Sequence, residues 1–529
     1  MIIDGYNSEI FRQYDIRGIF NKDLTTEIAM AIGAAYGVYL LKDARCKPAP
    51  ASLPSNGSIG GSKQGMQDAR RFKVSVGRDV RLSSVALSDA LIKGILSTGI
   101  DVIDIGECPT PLQYFSMFHL NLDGGIMITG SHNPPEFNGF KISVGKETIY
   151  GESIQEIRRI IEASGEWPVA SGQRGKIEHY DIISVYIDYI KRQFNGISDR
   201  PAIKVVIDAG NGIGGVVAPK LLRELGCDVI ELFCEPDGRF PNHHPDPTLP
   251  ENLKELTRVV KEKKADMGIA YDGDADRIGV VDENGSIIWG DHLMIIFARD
   301  MLENSNVKKG TVPDLRTKRS EVVESGLSPK SATFVGEVKC SQIMYDEIQR
   351  LGGNAIMWKT GHSLIKSKMK ETGAVLAGEM SGHIFFADRY FGYDDAIYAS
   401  CRLIEILARR RTVKPDTTVS SLLANIPKMY STPEIRVDCP DKKKFKVVER
   451  LYGVFDKLKK NPELEIVDII TIDGLRIVFK DGWALVRASN TQPALVTRYE
   501  AVTEKRLQEI KEIVEGEIQR KIGTDTIFR

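Results

Sequence analysis

FKVSVG at residues 72–77, SSVALSDALIKGILSTG at 83–99 and DVIDIG at 101–106 form one continuous pattern. The first and last segments are short apolar runs of strand length, whereas the middle segment has the spacing of an amphipathic helix. The pattern recurs at residues 203–210 (IKVVIDAG) and 216–233 (VVAPKLLRELGCDVIELF). Alternation of this kind indicates βαβ units, so the sequence predicts a largely α/β protein.

The composition is that of an ordinary globular protein with several domains. The chain has 529 residues, too many for one hydrophobic core, of which 42% are hydrophobic and 27% are charged. Its net charge of −1 provides no general field that would attract nucleic acid or an anionic membrane. We therefore expect small-molecule partners, with no nucleic acid or membrane partner, and a monomer or weak homo-oligomer.

The cysteines and the apolar segments favour a reduced, cytoplasmic location. The seven cysteines are scattered and never spaced C-x-x-C, which argues against a disulfide framework or a cysteine zinc site. No segment approaches the roughly 18 uninterrupted apolar residues of a membrane span. The N-terminal residues also lack a basic stretch followed by an apolar core.

Shifts in composition near residues 175, 300 and 425 suggest four domains. The expected domains are residues 1–175, 176–300, 301–425 and 426–529. A stretch at 47–65 is rich in Pro, Ser and Gly, and we interpret it as a flexible insertion in the first domain.

The last domain has the pattern of a smaller α+β unit. Hairpin signals occur at Asp473-Gly474 and at Asp481-Gly482. The C-terminal helix that follows carries one apolar stripe, which consists of Leu507, Ile510, Val514 and Ile518.

The segment TGSHNPP at residues 129–135 directly follows the strand-like GGIMI. A strand that ends in Gly-Ser and precedes two prolines forms a rigid, exposed turn, which presents a hydroxyl at a sheet edge. Asn133 replaces the second glycine of the hydrolase elbow G-x-S-x-G, so that motif is excluded. The spacing alone favours an ordinary turn, with His132 a surface histidine and Lys141 an exposed lysine.

The segment DGDADR at residues 272–277 places three carboxylates at alternate positions. Unpaired carboxylates so close would repel each other, whereas together they can bind one hard cation. An EF-hand is excluded because Arg277 stands at the required glycine and the flanks have strand patterns, although Glu283 occupies the twelfth position. Three protein oxygens leave room for water or a substrate phosphate, which suits Mg²⁺. We expect this loop to be exposed, and a single substitution in it to spare the fold.

Two further loops carry polar groups, although each alone is also compatible with a surface loop. GEMSGH at residues 378–383 offers a carboxylate, a hydroxyl and an imidazole to sugar hydroxyls. RASNTQP at residues 487–493, with Arg498 beyond it, offers groups that can surround a phosphate.

The glycine-rich segment at residues 210–215 has the glycine spacing of a dinucleotide-binding fingerprint, and Glu231 lies about twenty residues further on. That interpretation would make the protein an NAD-dependent oxidoreductase. The sequence shows no second mononucleotide-binding half, and the acidic and anion-binding loops have no role in hydride transfer. We therefore interpret the segment as a tight turn between a strand and a helix.

In this order, the four loops resemble those of the α-D-phosphohexomutase superfamily. TGSHNPPEFNGFKI resembles its phosphoserine loop, DGDADRIG its metal loop, GEMSGH its sugar loop and RASNTQP its phosphate loop. FRQYDIRG, VKCSQ and MWKTGHSLIK also match. The resemblance implies three related α/β domains with mixed sheets and a C-terminal α+β domain around a central cleft. GEMSGH is similar to the bifunctional phosphomannomutase/phosphoglucomutase branch, whereas phosphoglucosamine mutases usually carry Gln where Met380 stands.

The resemblance also implies a role for each matching residue. Ser131 would carry the phosphoryl group, and its phosphoserine oxygen would join the metal ligands Asp272, Asp274 and Asp276. The other implied catalytic residues are His132, Lys141, Arg277 and His362. The implied substrate contacts are Tyr14, Arg17, Lys339, Glu379, Ser381, His383, Arg487, Ser489, Asn490, Thr491 and Arg498.

The implied activity is the reversible interconversion of hexose 1-phosphate and hexose 6-phosphate, with mannose or glucose as the sugar. It would proceed through the phosphoserine and a hexose 1,6-bisphosphate, with Mg²⁺ as cofactor and the bisphosphate as activator. The sequence leaves open whether His132, Lys141 or His362 moves the proton. The alternatives are a phosphoglucosamine mutase, a sugar phosphatase and a non-catalytic sugar-phosphate binder.

Overall fold

Four β-sheets follow one another along the chain. The computed structural model describes residues 6–43, 71–163, 174–304, 332–489 and 493–522. The insertion expected at 47–65 lies outside these residues. Each sheet and the helices packed on it form one unit, and the units are numbered from one to four along the chain. The predicted α/β class and the predicted architecture of four units are confirmed.

The first sheet is mixed and has the strand order β1-β5-β4-β2-β3-β7, with β6 beside β5. Its strands are β1 (Ile16–Ile19), β2 (Lys73–Arg78), β3 (Asp101–Glu107), β4 (Gly124–Ile128), β5 (Phe137–Val144), β6 (Glu147–Thr148) and β7 (Ile177–His179). The helices of this part are α1 (Thr26–Lys42), α2 (Ser84–Ser97), α3 (Thr110–His119), α4 (Glu152–Ala163) and α5 (Ile182–Gln193). Because β7 pairs with β3, this sheet extends just past residue 175, and the domain boundary there stays a prediction.

Helices α1 and α2 cross closely because two glycines face each other's backbone. A Cβ atom on Gly33 would lie 2.2 Å from the Leu91 carbonyl oxygen, and one on Gly94 would lie 2.0 Å from that of Met30. Any larger side chain would therefore force the two helices apart.

The second and third sheets repeat a simpler version of the same plan. The second has the order β12-β11-β10-β8-β9, and the third has the order β14-β13-β15-β16. Their strands are β8 (Lys204–Asp208), β9 (Asp228–Leu232), β10 (Met267–Tyr271), β11 (Ile278–Asp282), β12 (Ile287–Ile288), β13 (Thr333–Glu337), β14 (Asn354–Trp358), β15 (Leu376–Gly378) and β16 (Ile384–Phe386). The helices are α6 (Ala218–Glu224), α7 (Lys254–Lys263), α8 (Gly290–Asn304), α9 (Gln342–Arg350), α10 (His362–Thr372) and α11 (Ala396–Val413).

The fourth sheet is antiparallel and has the order β17-β22-β21-β20-β19, with β18 also beside β22. Its elements are β17 (Tyr430–Ser431), β18 (Ile435–Asp438), α12 (Asp441–Leu458), β19 (Ile466–Ile470), β20 (Leu475–Phe479), β21 (Gly482–Ala488), β22 (Ala494–Ala501) and α13 (Glu504–Ile522). Both predicted hairpins are confirmed, because β20 pairs with β19 and with β21. The predicted apolar stripe of α13 packs into the core of this unit.

The two faces of the fourth sheet have different partners. One face packs against α12 and α13 in a core of its own. On the other face, Trp483 and Leu485 contact Val338, which follows β13 of the third unit. Side chains alternate between the faces of a strand, so Arg487 points to the same side as these two residues.

The glycine-rich segment at 210–215 forms a turn and the start of a short 3₁₀ helix between β8 and α6, as predicted. Within the described ranges, no helix combines the length and the apolarity needed to cross a membrane.

Candidate active site

Three of the four predicted loops occupy the same position in three related sheets. In each sheet, a strand that pairs in parallel with a neighbour is followed by an antiparallel partner, and the turn between them carries the loop. These turns join β4 to β5, β10 to β11 and β15 to β16, and they hold Ser131, the three aspartates and Glu379 respectively. The fourth loop joins β21 to β22. Repetition of one topological unit therefore brings three chemically different turns together.

Ser131 lies at the contact between the first two units. Its hydroxyl donates a hydrogen bond to Asp272 Oδ2 at 2.8 Å, and it lies 3.2 Å from His132 Nδ1. The residue is only 3% exposed and has a left-handed φ of +48°. The expectation of an exposed serine turn is wrong, because the second unit covers the hydroxyl.

The three aspartates are fully buried, so the expectation of an exposed loop is also wrong. Their ligand oxygens lie within 4.8 Å of one another. Asp272 Oδ1 accepts the backbone N–H groups of Asp276 and Arg277, both at 3.1 Å, which draws the loop into a tight turn. Burial raises the pKa of Asp272 well above its ordinary value, and the charges of the other two aspartates raise it further.

The glycine-rich segment explains part of this burial. A Cβ atom on Gly212 would lie 2.9 Å from the Gly273 carbonyl oxygen, and the Ile213 N–H donates to the same oxygen. The small residues of the tight turn therefore allow its backbone to lie against the aspartate loop.

Lys141 occupies the position between two of the aspartates. Its Nζ donates to Asp274 Oδ2 at 2.6 Å and to Asp276 Oδ2 at 2.5 Å, and it is not the exposed lysine that spacing alone would suggest. Burial acts to lower the pKa of Lys141, but the two carboxylates raise it well above its ordinary value. Thr110, at the start of α3, also donates to Asp274 Oδ2 at 2.5 Å.

The aspartate loop fits a divalent cation. Asp274 Oδ1 and Asp276 Oδ1 are buried and have no hydrogen-bond partner among the described residues. A buried carboxylate oxygen without a donor is costly, and a metal ion would satisfy it. The ammonium group of Lys141 already shows that the site favours positive charge.

His383 joins the aspartate loop to the third unit. Arg277 Nε donates to His383 Nε2 at 2.9 Å, so that nitrogen holds the lone pair and Nδ1 carries the proton. Nδ1 lies 3.1 Å from Asp394 Oδ2 and 3.6 Å from Asp276 Oδ1. Asp276, His383 and Asp394 are close enough to suggest a second metal site. A protonated Nδ1 cannot bind a metal, so we interpret the group as a carboxylate–imidazole pair.

Asp394 is surrounded by basic groups. Lys366 Nζ donates to its Oδ1 at 3.2 Å, and His362 Nδ1 lies 3.7 Å from its Oδ2. Burial acts to raise the pKa of Asp394, but Lys366 and the nearby histidines lower it well below its ordinary value. Burial and Lys366 lower the pKa of His362 well below its ordinary value, so His362 is neutral.

Asp395, the residue after Asp394, is held in place by hydrogen bonds to α11 and to two tyrosines. Its carboxylate caps α11 through the Tyr398 N–H at 2.8 Å and accepts the hydroxyls of Tyr186 at 2.9 Å and Tyr390 at 2.8 Å. Burial raises the pKa of Asp395 to about 6, although these donors act to lower it.

We expect Asp395→Asn to change how stability depends on pH. The folded pKa of about 6 lies above the ordinary aspartate value of 3.8, so the stabilising contribution of protonated Asp395 is present below about pH 4 and is lost as the pH rises through 6. The full contribution is about 3 kcal/mol, at about 1.4 kcal/mol per pKa unit. Thermal unfolding of both proteins between about pH 4 and 7 should show the wild type losing melting temperature relative to the variant. Parallel curves would contradict this assignment.

Lys339 lies in a buried acidic group. Its Nζ donates to Glu434 Oε1 at 2.5 Å and lies 3.4 Å from Glu337 Oε1. Burial raises the pKa of Glu337 to about 7, against the opposing effect of Lys339. Glu337 also accepts the Met380 N–H at 2.9 Å, which connects this group to the sugar loop.

The backbone of Thr360 and Gly361 connects three of the units. Tyr14 from the first unit donates to the Thr360 carbonyl at 3.0 Å, and the Thr360 N–H donates to Asp473 Oδ2 in the fourth unit at 3.0 Å. The Gly361 N–H donates to Glu379 Oε1 at 2.6 Å. Its φ of +127° and the adjacent Tyr14 ring leave no room for a side chain at Gly361.

Arg487 is 6% exposed, and its Nε donates to Asp473 Oδ2 at 3.1 Å. Ser489 follows at the end of β21, whereas Asn490 and Thr491 lie outside the described residues. Arg498 does not join this group, because its guanidinium bonds to the Lys339 carbonyl and to Asp291.

The remaining predicted residues lie at the edges of these groups. Arg17 pairs with Asp15 at 2.6 Å, and Ser381 donates to Glu379 Oε2 at 3.3 Å. Burial lowers the pKa of His132 well below its ordinary value, and Arg277 and Arg17 lower it further.

Sequence reasoning missed several residues that complete the site. They are Thr110, Glu337, Lys366, Asp394 and Glu434. Two of them had a local signal. Two adjacent acids before an apolar helical run, as at Asp394, are typical of a helix N-terminus, and Lys366 ends the matching segment MWKTGHSLIK. The other three come from distant elements and carry no motif.

Comparison with known proteins identifies four successive matches along the chain. The profiles of phosphoglucomutase/phosphomannomutase alpha/beta/alpha domains I, II and III match residues 60–166, 184–285 and 289–430. The profile of the phosphoglucomutase/phosphomannomutase C-terminal domain matches residues 434–517.

Full-length relatives show the same similarity. A phosphomannomutase/phosphoglucomutase of Pseudomonas putida is 41% identical over 511 residues, which cover 97% of this chain and 96% of that protein. A phosphoglucomutase of Neisseria gonorrhoeae is 40% identical over 504 residues, or 95% of each chain. The crystal structure of a phosphoglucomutase/phosphomannomutase family protein from Burkholderia thailandensis has a TM-score of 0.79 and 36% identity, and it covers 98% of both chains.

Proposed function

Since the chain belongs to the phosphoglucomutase/phosphomannomutase family, we propose that it interconverts hexose 1-phosphates and hexose 6-phosphates through a phosphoserine at Ser131. The observation that carries the proposal is the 2.8 Å contact between the Ser131 hydroxyl and Asp272 in the buried aspartate group. It supports the proposal because the serine that would act as the nucleophile and the carboxylates that would bind a cation lie together where the turns of different units meet.

Transfer requires one P–O bond to break and another to form. The bond between phosphorus and Ser131 Oγ breaks as the free 1- or 6-hydroxyl oxygen of the hexose phosphate bonds to phosphorus and gives up its proton to a base, which yields a hexose 1,6-bisphosphate. The other phosphate of this intermediate then returns to Ser131. The transition state spreads negative charge over the phosphoryl oxygens, so positioning and positive charge supply most of the catalysis.

Asp272, Asp274 and Asp276 would hold Mg²⁺ together with a phosphoserine oxygen. When bound, the ion would neutralise phosphoryl charge. Lys141 and Arg277 add positive charge at the same place, since Lys141 contacts two of the aspartates and Arg277 follows the loop.

We infer that His383 orients Arg277 rather than moving the proton of the sugar hydroxyl. Its Nδ1–H faces Asp394, and its Nε2 lone pair already accepts the Arg277 Nε–H at 2.9 Å. Lys141 is held protonated between carboxylates. His132 lies beside Ser131 Oγ and is better placed to exchange a proton with the serine.

Sugar recognition would rest on Glu379, Ser381 and Lys339. The reacting sugar binds in two orientations, because each phosphate must reach Ser131 in turn. Contacts that serve both orientations cannot select strictly at every hydroxyl, so we expect glucose and mannose phosphates, which differ at C2, both to react.

A substrate panel tests the proposal. Glucose, mannose, glucosamine and N-acetylglucosamine 1-phosphates are assayed with catalytic glucose 1,6-bisphosphate, and both the 6-phosphate and free phosphate are measured. Isomerisation of the first two sugars supports the proposal. Preferential reaction of glucosamine 1-phosphate would make the protein a phosphoglucosamine mutase, and release of free phosphate would make it a phosphatase.

We expect Arg487→Ala to weaken binding of the 1-phosphate and the 6-phosphate alike. Arg487 would hold whichever phosphate is not reacting, and charge-assisted hydrogen bonds contribute about 1.5–3 kcal/mol each, or roughly tenfold or more in affinity. The intermediate should also escape more often, so the variant should depend on added bisphosphate. Steady-state assays in both directions measure this, with Arg450→Ala on an exposed face of α12 as the control. Weaker binding of only one of the two substrates would contradict the proposal that Arg487 holds the phosphate that is not reacting in both orientations of the sugar.

A further inference from the structure

Arg81 is a buried arginine that no catalytic step uses. It follows β2 in the first unit, and it is 1% exposed. Its guanidinium donates four hydrogen bonds to backbone carbonyls of the loop that carries Ser131. The accepting oxygens belong to Ser131 (2.7 Å), Asn133 (2.5 Å), Pro134 (2.5 Å) and Phe137 (2.9 Å).

Asp79 completes the arrangement from the other side. It pairs with Arg81 Nε at 3.2 Å and accepts the Gly130 N–H at 3.1 Å. Gly130 lies directly on the guanidinium, since a Cβ atom there would be 2.4 Å from Arg81 Cζ. The pair therefore binds both the N–H and the C=O groups of the loop.

These bonds account for the unusual conformation of Ser131. A non-glycine residue with a left-handed φ costs roughly 1–2 kcal/mol, so the surrounding structure must hold it. The Ser131 carbonyl is bound by Arg81, while its hydroxyl is bound by Asp272. Ser131 is thus held at its carbonyl by a residue of the first unit and at its hydroxyl by a residue of the second unit.

Arg81 also contacts the second unit. The Phe240 ring lies 5.0 Å from its Cζ, and a Cβ atom on Gly238 would lie 2.4 Å from the Val80 carbonyl oxygen. The segment that contains Phe240 connects β9 to α7 in the second unit. The guanidinium therefore lies between the loop that carries Ser131 and this segment of the second unit.

We infer that Arg81, with Asp79, is a positioning residue that sets the conformation of the Ser131 loop and its distance from the aspartate loop. This inference rests on the proposed function. Lysine cannot replace the guanidinium, because its ammonium has three donors at one point, whereas arginine has five in a planar fork. A misplacement of about 1 Å at a reacting group can cost about 100-fold in rate.

The test compares Arg81→Lys with a matched control, Arg402→Lys. Arg402 is 2% exposed, pairs with Asp388 at 2.8 Å and lies 4.7 Å from the Phe386 ring. Among the described residues, its ion pairs and ring contacts lie outside the four loops. We expect similar losses of melting temperature in both variants. Only Arg81→Lys should lower kcat, by roughly 10–100-fold, with KM changed less than about twofold and with faster hydrolysis of the phosphoserine. A kcat equal to that of the control would overturn the inference.

Gly130→Ala provides a second test that keeps the arginine itself, because its methyl group would displace the guanidinium. It should reproduce the kinetic defect of Arg81→Lys, and the double variant should be no worse than either single one. Additive defects, or a normal kcat in Gly130→Ala, would contradict the inference. This variant also serves if Arg81→Lys does not fold.

Hydrogen exchange of peptides covering residues 129–137 separates this inference from the proposed function. Exchange there should rise in Arg81→Lys and in Gly130→Ala but not in Arg402→Lys. If the wild type showed no mutase activity, the proposed function would fail, while the exchange data would still decide whether Arg81 holds the loop. Unchanged exchange in both loop variants would overturn the inference.

Discussion

Ser131→Ala should abolish turnover. Removing the residue that carries the transferred group eliminates both half-reactions, and loss of a covalent nucleophile typically lowers kcat by about 10⁴-fold or more. Sugar phosphates should still bind, because the proposed contacts lie on other loops. Steady-state kinetics and calorimetric titration with glucose 6-phosphate measure the two quantities.

The matched control for this variant is Ser116→Ala. Ser116 lies in α3, is fully buried and bonds to Ser75 at 2.8 Å, so its replacement also removes a buried hydroxyl. It should lose some stability but keep its activity. If Ser131→Ala kept more than about a hundredth of the wild-type kcat, Ser131 would not be the carrier.

Asp274→Asn should have the second largest effect. The substitution removes one charge from the cation-binding group, and we expect affinity for Mg²⁺ to fall by about 100-fold or more, since even an outer-shell partner is worth about 10–100-fold. The fold should also suffer, contrary to the expectation from the sequence. Asp274 is buried and accepts hydrogen bonds from Lys141 and Thr110, and their loss should cost about 1–3 kcal/mol without metal.

Asp266→Asn is the control, because Asp266 precedes β10 whereas the aspartate loop follows it. It loses an ion pair with Arg411 at 2.6 Å and should lose stability without losing metal affinity. Calorimetry with Mg²⁺ and thermal unfolding in chelator measure the two effects. Equal metal affinity in Asp274→Asn and the wild type would contradict the proposal that the aspartate loop binds the metal.

Features that depend on local sequence were predictable. The alternation of strands and helices, the two hairpins of the fourth sheet and the stripe of α13 each depend on a few neighbouring residues, and the structure has them where expected. The loops that carry Ser131 and the aspartates could also be located, because a turn directly after a buried strand has a fixed place at the edge of a sheet.

Burial and long-range partners could not be predicted in the same way. The aspartate loop has the composition of an exposed segment, and it is buried because Lys141 and Thr110 of the first unit and the glycine-rich turn of the second unit pack on it. Thr110 is 164 residues from Asp274 along the chain. Arg81 gave no signal either, since an arginine that binds backbone carbonyls needs no particular residue types around it.

The proton-transfer group shows the same limit. The family resemblance left His132, Lys141 and His362 as equal possibilities. Only the fold reveals that Lys141 is paired with two carboxylates, and that His383 faces Asp394 at 3.1 Å.

Transfer of a labelled phosphoryl group tests the central claim most directly. The protein is incubated with ³²P-labelled glucose 1,6-bisphosphate, separated from the sugar, digested and mapped by mass spectrometry. The label should lie on Ser131, and unlabelled glucose 6-phosphate should recover it as hexose phosphate, with little free phosphate. Label on another residue, or its release as inorganic phosphate, would contradict the assignment of Ser131 as the carrier of a mutase.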